Sequence, residues 1–210
     1  NTYANDDHVH CFNQFIDTKR NSLSSILSEE WKENLDFLSV DIDGLDYEVF
    51  ESLDFFPKVI CIEVNTCHSP DSNEKVSRDT AKINVGQPLK YFVNIAESKG
   101  YQLVCFTGNA FFVKKDLLIN NKFKSISAKV AYLQHLETIP NHVKEHLYFV
   151  NKGVVNSLHN FDNPYLTKKR LELSFLQIIK YLIKLNLNKI QNKIFFFADR
   201  VKLKLMSLKT

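Results

Sequence analysis

Glycine and proline are scarce in this chain, five of each in 210 residues, and methionine and tryptophan occur once each. The glycines stand at positions 44, 86, 100, 108 and 153, so no G-x-G turn can form. Four cysteines, Cys11, Cys61, Cys67 and Cys105, make no C-x-x-C pair. Cys61 and Cys105 lie in strand-like apolar runs, where thiols behave as small hydrophobes, and a reducing cytoplasm is the expected setting. Uninterrupted apolar stretches reach about five residues, as from Ile194 to Ala198, far below the ~20 that a spanning helix needs. No secretory signal is visible, and the chain starts at Asn1 without a methionine, so a preceding piece is expected.

What remains is a globular composition, 44% hydrophobic, with an uneven charge. Residues 166–210 hold eleven Lys and Arg against Glu172 and Asp199, a net of +9. The whole chain carries +3, so residues 1–165 carry 3 − 9 = −6, and the two parts are expected to have different jobs.

Residues 1–20 are polar and lack a period. Ser22 or Ser24 caps a short helix expected over about 22–32. The run Phe37 to Val40 reads as a buried strand stopping at Asp41, and Gly44 permits a turn. Leu45, Val49 and Leu53 then recur every four residues, as a helix face requires. Past Pro57, "KVICIEV" supplies a β-branched strand closing at Glu63 and Asn65. The polar stretch "TCHSPDSNEKVSRDT" is long enough for a lid or substrate loop. A helix from Pro88 to Lys99 ends at Gly100, and "YQLVCFTGNAFFVKK" predicts two strands about a Gly108-Asn109 turn. Helical patterns follow from about residue 119. Strands alternating with helices, then a terminal hairpin, indicate an α/β sheet with a mainly parallel centre. Ligands of such sheets sit beyond the carboxyl ends of the strands, where Asp41 and Glu63 both fall.

If the two strands are neighbours, Asp41, Asp43, Glu63 and the Asn65 amide meet at one point. Oxygen ligands of this kind suit Mg²⁺ or Ca²⁺, and a single carboxylate could instead take a hydroxyl proton or bind a cationic cofactor. The plainer alternative is that Asp41 and Asp43 cap the following helix while Asp46 and Glu48 are solvated. An EF-hand is excluded, because counting from Asp41 puts Gly44 fourth rather than sixth. Asp41-x-Asp43 is also a D-x-D, which nucleotide-sugar glycosyltransferases use to hold a metal against a diphosphate.

The stretches "LDFLSVDIDGLDYEVFESLDFFPKVICIEVN" and "GQPLKYFVNIAESKGYQLVCFTGNAFFVKKDL" resemble the later half of the FkbM-type methyltransferases, class I S-adenosylmethionine-dependent enzymes. The likeness runs from about Ser22 to Leu118 and rests on the "DIDG" turn, the "P-x-V-I-x-I-E" strand, "KGY-x-L" and "NAFFV" in order. It implies a Rossmann-like doubly wound sheet, here its later strands with a terminal hairpin, whose fourth and fifth strands end at Asp41 and Glu63. It also implies methyl transfer to a hydroxyl of a sugar, glycan or glycolipid precursor. Asp41, Gly44 and Glu63 would then hold the cofactor, and Asp41 or Asp43 would take the hydroxyl proton. Looser similarity to catechol-type O-methyltransferases places a magnesium site at Asp41, Glu63 and Asn65. The family's glycine-rich first strand has no counterpart here. The chain is therefore expected to be the later part of a longer enzyme or a degenerate relative, and to bind the cofactor poorly by itself.

His68, in the loop after the second strand, is a candidate base, or else a solvated loop histidine. "HVKEH", from His142 to His146, matches the inverted zinc-protease pattern H-x-x-E-H, but a third ligand is wanting and surface histidines are the preferred reading. In the basic tail, Ile179, Ile183, Leu187, Ile190, Ile194, Phe197, Val201 and Leu205 trace a seam at spacings of three and four, flanked by Lys180, Lys184, Lys189 and Lys193. The seam suits an anionic membrane surface, a packed core or a homo-oligomer interface. Nucleic acid is not expected, because the phenylalanines cluster instead of alternating with lysines.

The resulting expectation is a methyltransferase-like α/β segment over residues 1–118, a helical segment over 119–165 and a basic amphipathic tail over 166–210. The expected protein is cytoplasmic, peripheral to the membrane, and acts on a small-molecule or glycan acceptor. A glycosyltransferase using Asp41 and Asp43, or a non-catalytic binding module, are the rivals.

Overall fold

The structure, a computed structural model, describes residues 9–42, 44–76, 86–119, 123–152, 163–167, 171–184 and 186–187. The chain divides into two compact units, Asn1–Thr138 and Ile139–Thr210.

The first unit is α/β. Two short helices, α1 (Leu23–Ile26) and α2 (Glu29–Asn34), replace the single helix expected over 22–32. Each has its own serine cap: Ser22 Oγ accepts from the Ser25 amide and Ser28 Oγ from the Trp31 amide. The second cap restarts the helix, because a serine that binds a backbone amide ahead of it holds its own residue extended. Strand β1 (Phe37–Val40) leads to helix α3 (Asp46–Ser52), strand β2 (Val59–Glu63), helix α4 (Leu89–Ser98), strands β3 (Tyr101–Phe106) and β4 (Asn109–Lys114), then α5 (Lys115–Leu118) and α6 (Ala128–Thr138).

The sheet has four strands in the order β1-β2-β4-β3. Only β1 and β2 are a parallel pair; β4 runs antiparallel to both β2 and β3. The expected mainly parallel centre is therefore corrected to a mixed sheet, because the hairpin lays its second strand, not its first, against β2. The hairpin turns at Thr107-Gly108, with Gly108 at φ +103°, and Asn109 already belongs to β4.

Burial follows position in the sheet. In β2 the consecutive residues Ile60, Cys61 and Ile62 are all buried, as a strand covered on both faces requires. In β1 only Val40 is buried, and Phe37 is 50% exposed, so the strand read from its sequence as buried is an edge strand. In β3 a bulge between Leu103 and Cys105 shifts the alternation and leaves Cys105 at the surface, contrary to its apolar surroundings in sequence.

Helices close the core. Phe50 of α3 stacks on Phe112 of β4 with ring centroids 5.9 Å apart, and Tyr47 meets the rings of Tyr91 and Phe92 of α4. Burying a ring of this size contributes about 1.5–3 kcal/mol. Tyr132 of α6 stacks on Phe106 of β3, and Ala131, Tyr132 and Leu136 are buried. Helix α6 thus belongs to the first unit, although its sequence groups it with the helices that follow. Two long-range bonds fix the strand ends: Tyr101 OH donates to the Pro57 carbonyl at 2.6 Å, and Lys99 Nζ to the Leu53 carbonyl at 2.8 Å.

In the second unit, α7 (Asn141–Asn151) precedes a 3-10 turn at Pro164–Leu166, and residues 175–184 and 186–187 are helical. The buried Asn151 side chain accepts from the Asn163 amide at 3.1 Å, joining α7 to the approach of that turn. The seam from Ile190 to Leu205 lies outside the described residues. No helix among the described residues is long and apolar enough to cross a membrane.

Candidate functional site at the β1–β2 rim

Strands β1 and β2 are hydrogen-bonded neighbours whose last pair is Val40 with Ile62. One residue beyond Val40 the chain reaches Asp41, and one beyond Ile62 it reaches Glu63, so the two acids follow the last paired residues of strands that lie about 4.8 Å apart. Asp41 and Glu63 thus both fall at the carboxyl ends of adjacent strands. Asp43 lies outside the described residues.

Beside this rim is a cavity of about 210 Å³ lined by Gly44, Asp46, Glu63, Asn65, Thr66 and Gly86, with Val64. The structure therefore gathers Gly44, Glu63 and Asn65 of the candidate residues in one place. Asp41 is exposed at the strand end and is not part of the lining. A larger cavity, lined by Lys32, Asp54, Phe55 and Lys114 among others, lies by the residues that precede β2 and end β4, at the opposite ends of the strands.

The loop that builds the cavity is shaped by a residue whose role the sequence did not reveal. Asp46, 4% exposed at the first position of α3, accepts from the Ile42 amide at 3.0 Å through Oδ1 and from the Gly44 amide at 2.9 Å through Oδ2. A charged acceptor with two backbone donors is a strong anchor, and it also places negative charge at a helix N-terminus. The reading that left Asp46 solvated and gave the capping work to Asp41 and Asp43 is corrected for Asp46. Gly44, at φ +103°, supplies the left-handed turn that lets its amide face back toward Asp46. The available signal was the D-G-x-D spacing, in which an acid two residues beyond a turn glycine reaches back to the loop.

The far wall is equally tied down. Asn65 Oδ1 accepts from the Cys67 amide at 2.9 Å, an Asx turn that starts the loop after β2. Gly86 packs against Asn65 so closely that an added Cβ would stand 3.4 Å from the Asn65 Cβ. His68 Nε2 lies 3.0 Å from the Gly86 carbonyl. A carbonyl only accepts, so Nε2 carries the proton in this bond, and His68 can act as a base only through Nδ1. Tyr132 OH donates to the Thr66 carbonyl at 2.6 Å. Gln87, buried, donates from Nε2 to the Val76 carbonyl at 3.0 Å and accepts the Val76 amide at 2.8 Å. The loop read as a lid is thus anchored from Thr66 to Val76; residues 77–85 lie outside the described residues.

Among the described residues the charge of the cavity wall is one-sided: Asp46 and Glu63 are in it and no Lys or Arg is. Among the described residues, no three His, Cys, Asp or Glu side chains come together as a metal-ligand set. The Asn65 oxygen that a magnesium ion would need already accepts from Cys67. Likewise, His142 and His146 share a face of α7 without a third ligand beside them among the described residues. Compared with family models, curated proteins and solved structures, the chain matches none.

Proposed function

We propose that the β1–β2 rim is the acceptor and donor site of an S-adenosylmethionine-dependent O-methyltransferase of the FkbM-like kind, acting on a hydroxyl of a sugar, glycan or glycolipid precursor. The observation that carries this reading is the acidic cavity itself: two carboxylates and no basic residue in its wall among the described residues, with Asp41 just beyond the end of the neighbouring strand. A site of that sign attracts a cation, as the sulfonium donor is, and repels a diphosphate.

Glu63 and Gly44 would hold the donor, which supplies an electrophilic methyl group whose bond to sulfur breaks as the acceptor oxygen forms its bond to carbon. Asp41, exposed at the rim, is where an acceptor hydroxyl can approach and leave its proton. Asp46 and Asn65 keep the two loops in place, and alignment of donor and acceptor is the larger part of such catalysis. His68 supports the wall through Gly86.

The two carboxylates disfavour a nucleotide-sugar glycosyltransferase, which needs a metal or basic side chains against its diphosphate. The binding-module reading is left to the following test. Calorimetric titration of the product of the complete reading frame should give saturable binding of S-adenosylmethionine or its demethylated product, reduced at least tenfold by Glu63→Gln. Binding of a nucleotide-sugar with Mn²⁺ in its place would overturn the proposal in favour of the glycosyltransferase. Binding of neither would overturn it in favour of the module.

A further inference from the structure

The second unit carries a surface that methyl transfer does not use. In the helical residues 175–184 and 186–187, 3.6 residues per turn set Phe175, Leu176, Ile179, Ile183 and Leu187 on one side. All five are exposed, from 37% at Ile179 to 68% at Leu176. The opposite side is seated: Tyr181 stacks on Phe149 of α7 with centroids 4.4 Å apart and planes 2° from parallel, and its hydroxyl lies 3.0 Å from His146 Nδ1. Lys180 and Lys184 occupy the flank between these two sides. On that flank, between α7 and the helix, opens a cavity of about 520 Å³ walled by His142, Glu145, His146, Lys180, Tyr181 and Lys184.

An apolar stripe bordered by a basic hollow has two halves that different parts of one ligand must satisfy. The stripe alone would fit a second copy of the chain, but a symmetric dimer sets each basic surface against its own likeness. Residues 139–210 hold thirteen Lys and Arg against four acids, so that pairing meets charge of the same sign. An anionic bilayer offers hydrocarbon to the stripe and phosphate to the lysines, which outnumber Glu145 in the hollow.

We propose that the second unit docks on anionic membranes, with Leu176, Ile179, Ile183 and Leu187 entering the headgroup–acyl boundary and a lipid phosphodiester seated in the hollow on Lys180 and Lys184. His142 and the Tyr181–His146 pair form its far wall. The helix then lies in the plane of the interface, with its Phe149 and Tyr181 contact turned toward the protein.

Co-sedimentation of the full chain with vesicles tests this without any methyl donor, so it stands or falls separately from the enzymatic reading. Vesicles of phosphatidylcholine with about one-third phosphatidylglycerol should bind at least tenfold more tightly than phosphatidylcholine alone, and added salt should weaken the binding. Lys180→Glu with Lys184→Glu should lose at least tenfold, and Ile183→Ser should weaken binding to both kinds of vesicle. All three positions are exposed, and an unchanged melting curve verifies the fold of each variant. Equal affinity for neutral and anionic vesicles, or an undiminished Lys180→Glu/Lys184→Glu double variant, would overturn the proposal. So would a dimer in sedimentation equilibrium that Ile183→Ser converts to monomer while vesicle binding is absent, since the stripe would then belong to a second copy.

Discussion

Gln87 and Val76 exchange two hydrogen bonds, side chain to backbone in both directions, across eleven residues of chain. The pair closes the base of the loop after β2 as a strand pair would, with a side-chain amide standing in for a peptide group. Because Gln87 is buried, Gln87→Ala leaves the Val76 amide and carbonyl without these partners, at a cost of about 1–3 kcal/mol. Hydrogen exchange should rise in residues 66–76 and stay unchanged in β2 and β4. Uniform loss of protection across the sheet would show that the pair supports the whole core instead.

Asp46 and Asp41 should separate stability from turnover. Asp46→Ala removes the acceptor of two backbone amides and should lower stability by about 2–3 kcal/mol, read in a urea melt. Asp41→Asn changes an exposed side chain and should leave the melt within about 0.5 kcal/mol while abolishing methyl transfer. Retained turnover in Asp41→Asn would remove that residue from the mechanism.

The four thiols should divide into two classes. Cys11 and Cys105 are exposed, whereas Cys61 and Cys67 are buried, and burial pushes the Cys67 thiol up to about 11. Timed alkylation at neutral pH, read by mass spectrometry, should label Cys11 and Cys105 first and reach Cys61 and Cys67 only as the protein unfolds. Early labelling of Cys67 would mean that the loop after β2 opens readily in the native state.

His135 should make the first unit sensitive to acid. It is buried in α6 with its ring edge-on to Phe106 at 5.0 Å, and burial holds its pKa below the ordinary 6.5. Below pH 6.5 the unfolded chain binds the proton more readily than the folded one, so stability is fully present above that value and falls as pH drops toward the folded pKa. His135→Gln should flatten the melting temperature between pH 7 and 5.5; an unchanged slope would place the acid sensitivity elsewhere.

Much of the first unit was legible in the sequence because each cue there was local. Phe37 to Val40, "KVICIEV" and Gly100 marked strands and a helix end at the positions observed, and Gly108 marked the hairpin, whose turn lies one residue earlier than expected. The mixed sheet was less visible: nothing in a strand's own residues says which partner lies beside it, and the exposure of Phe37 is a property of the edge, not of the strand. At the site, the pairing of Val40 with Ile62 left Asp41 and Glu63 each one residue beyond the same strand pair. The anchoring role of Asp46 escaped notice because its partners are backbone amides, which every residue offers and no motif displays.

The placement of β4 also bears on how the polypeptide is born. It is the last strand among the described residues, yet it stands between β2 and β3. Emerging from a ribosome, β2 can pair with β1 at once, but its other edge stays bare through the synthesis of some fifty further residues, until the segment ending at Lys114 arrives. Ile60 and Ile62 sit on that waiting strand. The interval is when a chaperone has most to protect, and a chain truncated before Asn109 would be a substrate for proteolysis rather than a smaller version of the fold.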